Sequence, residues 1–288
     1  MRPYEGLLTA MITPFHADGA VNDDAAVAIA RHLLASGSHG LVVAGTTGEG
    51  ATLTDDELVR LVDMIAGEVG SEGSVVAGAG SNDTRHAIEL TRRVIAAGAE
   101  AVLSVTPYYN KPNRRGIVRH FQEVARAADG TPVLVYNIPG RTAVNMGPDL
   151  LAELGQIDGI VGVKQANSAE LQPIDGMAVL AGNDDIYAAC LDMGGAGGIC
   201  VASHIVGPEM RRMYDEPEHR AEIDASLRDV YETLFITASP TPLKAALNLL
   251  GHDAGTLRLP MVEADEAETA AVRKMLERHG LLSTVSHA

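Results

Sequence analysis

The chain has 288 residues, enough for one large domain or two small ones, and a single α/β barrel of roughly 250 residues fits that length. Its 46% apolar content can fill a sizeable core, while 22 basic against 38 acidic residues leave a net charge of −16. An acidic surface argues against nucleic acid and anionic membranes as partners, since both need basic stripes.

The N-terminus "MRPYEGLLTAMITPF" carries one Arg and only a short, interrupted apolar run, unlike a signal peptide. No apolar run approaches the ~20 residues that span a bilayer. A soluble, cytoplasmic protein is expected.

Short β-rich runs alternate with amphipathic segments along the chain. The runs are Leu7–Ile12, Gly40–Ala44, Ser74–Ala79, Ala101–Val105, Pro132–Tyr136, Ile160–Lys164, Ala178–Ala181 and Gly198–Val201. Helical patterns fall over Asp23–Ser36, Thr54–Val69, Asp83–Ala97, Arg114–Ala128 and Pro148–Leu154. Thr54 with Glu57 three residues on makes a capping box, and "SNDT" puts cap-type residues ahead of Ala87, Leu90 and Val94. Strands buried on both faces read as continuous apolar runs, as these do. Eight alternations without a composition shift predict an α/β fold, a TIM (β/α)8 barrel, with a doubly wound sheet as competitor. The barrel core is expected over residues 1–205. Residues 206–288 are too long for one closing helix and read as a C-terminal helical appendage packed on the barrel.

In such a barrel the chemistry sits where the strands end. Strand two runs into "GTTGEG", Gly45 to Gly50, where converging N–H groups and the hydroxyls of Thr46 and Thr47 suit a carboxylate or phosphate. The same letters also fit a tight turn whose threonines cap the next helix. Strand four runs into "TPYYNKP", whose Tyr108 and Tyr109 read as packing residues or interface anchors sooner than as acid–base groups. Strand five ends on Tyr136, placed to pass protons. "NIPGRT" then puts Arg141 where it forks onto a carboxylate or simply faces solvent.

Strand six, "GIVGVKQ", ends on Lys164. Taken alone, such a lysine snorkels into water. A solvated lysine titrates near ~10.4 and is almost wholly ammonium at neutral pH, whereas low-dielectric walls and a nearby guanidinium favour the nucleophilic amine. Strand seven is followed by Gly182-Asn183-Asp184-Asp185. "GGAGG" before strand eight is not a GxGxxG fingerprint followed by a cofactor-binding acid. The ten histidines are scattered, and Cys190 and Cys200 lack ligand spacing, reading as small buried hydrophobes; no metal site is expected.

In order and at compatible spacing, "GTTGEG", "VTPYYNKP", "YNIPGRT", "GVKQA" and "AGNDD" resemble the dihydrodipicolinate synthase / N-acetylneuraminate lyase family of Schiff-base aldolases, from about Tyr4 to about Leu250. The arginine of "YNIPGRT" is similar to the dihydrodipicolinate synthase branch; sialic-acid lyases usually carry none there. The resemblance implies condensation of pyruvate with L-aspartate 4-semialdehyde to 4-hydroxy-tetrahydrodipicolinate, in lysine and diaminopimelate biosynthesis. Lys164 would form the imine with pyruvate. Thr47 and its backbone would hold the pyruvate carboxylate, the Ile199 carbonyl would position the lysine, and Gly182 would complete the substrate-binding set. Tyr136 would relay protons, hydrogen-bonded to Thr46 and to Tyr109, the latter donated by a neighbouring subunit. Arg141 would meet the aldehyde's carboxylate. A homotetramer of two tight dimers is implied, with no metal and no cofactor beyond the imine.

Three departures qualify this. The segment between Lys164 and Gly182 is short, so helix six should be abbreviated. "SPTP" from Ser239 stands where the family usually has Asn-Pro-Ile-Pro, so no role is carried to Ser239. At the interface pocket where some members bind lysine, Asn82 and Tyr108 match, but Asp55, Leu58 and His86 replace the usual His, His and Glu. Weak or absent inhibition by L-lysine is expected. The alternatives are a pyruvate-dependent aldolase on a sugar acid, of the 2-keto-3-deoxygluconate or N-acetylneuraminate type, and a non-catalytic metabolite-binding barrel.

Overall fold

A computed structural model describes residues 2–282. Eight parallel strands close into a barrel in sequence order: β1 (Gly6–Ala10), β2 (Gly40–Val43), β3 (Ser74–Gly78), β4 (Ala101–Val105), β5 (Val133–Asn137), β6 (Ile160–Gln165), β7 (Ala178–Ala181) and β8 (Gly197–Cys200). β8 pairs back onto β1, so no edge is left and the doubly wound alternative is excluded. β2 stops one residue earlier than its apolar run because Ala44 turns left-handed, at φ 55°.

Each expected helix forms: α1 (Asp23–Ala35), α2 (Asp55–Val69), α3 (Thr84–Ala96) and α4 (Arg114–Ala128). Their starts are fixed by side chains that accept otherwise unpaired N–H groups, namely Asn22, the Thr54/Glu57 capping box, Asp83 and Asn113. A single turn, α5 (Pro139–Thr142), precedes α6 (Pro148–Leu154). Between β6 and β7, where an abbreviated helix was expected, the described chain makes only a 3-10 turn over Ser168–Glu170. Next come α7 (Tyr187–Asp192) and α8 (Gly207–Asp215), which packs near β1, then α9 (Arg220–Thr233), α10 (Thr241–Leu249) and α11 (Glu266–Arg278). α9 packs on α8 and α11, and α10 packs on α11, forming the C-terminal helical layer.

The period-2 alternation of each strand divides the core in two. Leu8, Val42, Val76, Leu103, Leu134, Leu180 and Ile199 fill the barrel interior. Their neighbours Leu7, Leu41, Val75, Val102, Val135, Val163 and Val179 face outward into the layer shared with the helices. Both cysteines are free and buried in that outer layer, and burial pushes the Cys190 thiol up to about 11. Among the described residues no helix is long and apolar enough to cross a membrane.

Candidate active site

Register settles which way Lys164 points. Tyr136 belongs to the inward-facing set of β5, and Lys164 lies directly opposite it on β6. Inward parity therefore carries the lysine to the barrel axis and away from solvent; it is 5% exposed, with Nζ 4.4 Å from the Tyr136 ring centroid. Tyr136 is itself buried and fixed from behind, because both the N–H and the hydroxyl of Thr106 donate to its carbonyl, at 3.0 and 2.8 Å.

Above this pair opens a cavity of about 450 Å³, lined by Thr46, Tyr136, Arg141 and Ser239 among others. It sits at the carboxyl ends of the strands, where barrels of this type place their chemistry. The Gly45–Gly50 turn folds tightly there. A Cβ on Gly50 would stand 2.2 Å from the Ala44 carbonyl oxygen, so only glycine fits. The turn closes on itself through Glu49 N–H to Thr46 O and Gly50 N–H to Gly45 O, both 3.1 Å, and the Thr13 hydroxyl donates to Gly48 O at 2.6 Å. Among the described residues the N–H groups of Thr46, Thr47 and Gly48 donate to no protein acceptor. Thr47 is buried and Thr46 exposed. Converging free amides beside a hydroxyl are suited to an anionic oxygen.

Arg141 rides on α5, a turn whose Pro139–Gly140 start hid it from sequence reading. Its loop is braced from below by Asn137, whose amide reaches Gln165 Oε1 (3.0 Å) and Asn145 Oδ1 (2.9 Å) while its Oδ1 accepts the Met146 N–H (2.9 Å). Arg141 is exposed and stands among the residues that line the cavity. Ile199 is fully buried in β8 within the inner cluster. Gly182 follows β7, and a Cβ there would press on Ala166 and the Gln165 carbonyl, at 2.8 and 2.7 Å. Tyr109 stands apart. It is 87% exposed on a loop where it takes φ 70°, a conformation costly for an aromatic residue. Among the described residues Tyr136 makes no hydrogen bond to Thr46 or to any Tyr109 of the same chain.

Three functional candidates escaped the sequence reading. Ser239 lines the cavity although its motif departs from the expected string, and its buried hydroxyl has no partner among the described residues. Asp184, buried after β7, lies near enough to Lys164 for the ammonium to favour its charged form against the stronger opposing effect of burial. Glu49, inside the "GTTGEG" turn, makes a buried ion pair with Lys244 of α10. Among the described residues no cluster of His, Cys, Asp or Glu has the placement of a metal site.

The sequence model of the dihydrodipicolinate synthetase family matches residues 3–279. A 4-hydroxy-tetrahydrodipicolinate synthase of Heliobacterium modesticaldum is 43% identical over 287 residues, covering 96% of this chain and 95% of that one. The solved dihydrodipicolinate synthase of Cyanidioschyzon merolae, with lysine bound, superimposes with a TM-score of 0.94 at 38% identity, covering 98% of this chain and all of that one. The Acinetobacter baumannii enzyme complexed with pyruvate does so with a TM-score of 0.91 at 30% identity, covering 96% and 99%. Fold, strand-end residues and near full-length identity converge, and the chain belongs to the dihydrodipicolinate synthetase family.

Proposed function

We propose that this chain condenses pyruvate with L-aspartate 4-semialdehyde to 4-hydroxy-tetrahydrodipicolinate through a covalent imine on Lys164, as a lyase of lysine and diaminopimelate biosynthesis. The observation that carries the reading is the buried Lys164 amine against the ring of Tyr136, which itself lines a cavity that also presents Thr46 and Arg141.

The chemistry follows from that geometry. The Lys164 amine adds to the pyruvate ketone, and loss of water leaves an imine whose protonated nitrogen is an electron sink. Removal of a methyl proton gives the neutral enamine, which attacks the aldehyde carbon of the second substrate. The product's own amine then displaces Lys164 and closes the ring, freeing the enzyme. Tyr136 moves the protons, with Thr46 and a Tyr109 from a neighbouring subunit as its relay. The free amides around Thr47 hold the pyruvate carboxylate, the Ile199 carbonyl and Gly182 shape the wall beside the lysine, and Arg141 forks onto the carboxylate of the aldehyde. The covalent imine does the work for which other enzymes recruit a cofactor.

The exposed, strained Tyr109 supports an assembly in which it enters a neighbouring site, a tetramer of two tight dimers working in the cytoplasm. Borohydride reduction in the presence of pyruvate tests the central step. A reduced pyruvyl group is expected on Lys164, and an unmodified Lys164 would eliminate any Schiff-base mechanism. Turnover is expected with aspartate semialdehyde and not with sugar-derived aldehydes.

A further inference from the structure

Glu49 and Lys244 are far apart in sequence and meet in the interior. Lys244 Nζ lies 2.6 Å from Glu49 Oε1, and the two side chains are 1% and 2% exposed. Each has secondary partners. Lys244 also donates to the Thr256 carbonyl at 2.6 Å and sits 4.5 Å from the Phe15 ring centroid. The other oxygen, Glu49 Oε2, accepts the Arg258 N–H at 3.1 Å. The Arg258 guanidinium in turn grips Glu57 at 2.6 and 2.9 Å and the Thr52 carbonyl at 2.7 Å, clamping the segment that leaves the turn.

Glu49 is also where the turn's backbone is least relaxed. It adopts φ 53°, a left-handed conformation that a non-glycine residue holds only when its surroundings fix it. Its N–H donates to the Thr46 carbonyl, so the placement of Glu49 sets that of Thr46 and Thr47 directly. A pair of buried charges is a poor source of stability, since apolar residues of equal volume do as well or better, but it specifies one geometry. The direction that it specifies here runs from the C-terminal helices to the carboxylate-binding turn.

We infer that Glu49 and Lys244 are positioning residues for pyruvate recognition, through which α10 and the following Thr256–Arg258 strap hold the Thr46–Thr47 amides in register with Lys164. This rests on the imine reading above. On it, the C-terminal layer is part of the active-site scaffold and not merely a cover for the barrel.

The test compares wild type, Lys244→Met and Glu49→Met/Lys244→Met by thermal melting and by the pyruvate concentration that half-saturates borohydride-trapped adduct. Lys244→Met leaves a buried carboxylate unpaired and is expected to melt lower. The double variant removes both charges and is expected to melt above Lys244→Met, yet to need roughly tenfold more pyruvate or beyond, as for a misplaced binding group. Its KM for the aldehyde should move by less than about twofold, because the Arg141 side of the cavity is untouched. A double variant with wild-type pyruvate saturation overturns the inference, and so does one that cannot fold, since the pair is then a requirement of the fold. Wild-type enzyme that traps no adduct fails differently, removing the imine reading and the inference with it.

Discussion

The carboxylate of Asp55 holds His86 Nε2 between its two oxygens, at 2.9 and 3.0 Å, while His86 Nδ1 lies 3.1 Å from the Ser81 hydroxyl. Both polar ends of the histidine are engaged, and Leu58 beside them offers no hydrogen bond at all. A free amino acid arriving here would have to break the Asp55–His86 contact to find partners for its own charges. L-lysine is therefore expected to inhibit weakly or not at all. A titration of initial rates with L-lysine checks this, and half-inhibition well below millimolar would contradict it.

Tyr136→Phe keeps the ring against the Lys164 amine and deletes only the hydroxyl, so the fold and the pocket should survive. If that hydroxyl moves protons, kcat should fall by ~10²–10⁴-fold with a smaller change in KM for pyruvate. Tyr109→Phe should do the same although Tyr109 lies at the surface of its own chain. Mixing Tyr109→Phe subunits with Lys164→Ala subunits then discriminates. If Tyr109 acts across an interface, mixed dimers regain one complete site, and roughly a quarter of the wild-type activity returns. No recovery after subunit exchange would place Tyr109 outside the relay.

Much of this site was legible before any coordinates, because the strand ends are written as short apolar runs that stop on polar residues. Tyr136 and Lys164 could be named from that pattern alone. Their orientation could not, since it depends on which residues of β5 and β6 pair, and a one-residue slip would have turned both outward. Asp184 and Asp185 are identical letters side by side; only the fold buries the first and leaves the second exposed. Arg141 read as a loop residue because a four-residue helical turn starting Pro-Gly has no periodicity to detect. The Glu49–Lys244 pair is the extreme case, since a lysine on an amphipathic helix is ordinarily solvated and nothing local marks this one.

Two buried histidines should make the protein acid-labile. His120 has its Nδ1 3.0 Å from the Thr84 hydroxyl, and burial pushes it down to about 4. His204 shares Nδ1 with the Val201 carbonyl at 2.8 Å and accepts the Ile12 N–H on Nε2. Burial lowers it to about 4 as well, against the opposing Val201 carbonyl and with His32 and His252 adding to the fall. In the unfolded chain both titrate near ~6.5. Between there and about 4 the unfolded state takes up protons that the folded state refuses, so stability is complete above that window and drains away as pH falls through it. Each histidine contributes a slope of up to ~1.4 kcal/mol per pH unit. Urea unfolding at several pH values checks this: His120→Gln should flatten the slope, and an unchanged slope would show that His120 titrates freely in the folded protein.

Asp184 should respond to pH in the opposite sense. Its Oδ1 accepts the N–H groups of Val201 and Ala202 at 2.9 and 3.0 Å, whereas Oδ2 is buried with no partner among the described residues. Burial raises its pKa, with the Ala202 and Val201 amides and the Lys164 ammonium pulling against it. The folded state therefore keeps a proton that the unfolded chain releases, and the stability tied to it is present in full below the unfolded carboxyl value and lost as pH rises through the folded one. Asp184→Asn mimics the protonated acid: its oxygen can keep both amide hydrogen bonds, and its NH₂ replaces an oxygen that had none. At pH 8 this variant should be as stable as wild type or more so, by on the order of 1 kcal/mol, with the gap closing in acid. Asp184→Ala instead strands two buried N–H groups and should lose ~1–3 kcal/mol at every pH. Urea midpoints at pH 5 and pH 8 for both variants separate these outcomes; an Asp184→Asn protein weaker than wild type at pH 8 would mean that the carboxyl is held ionised in the fold.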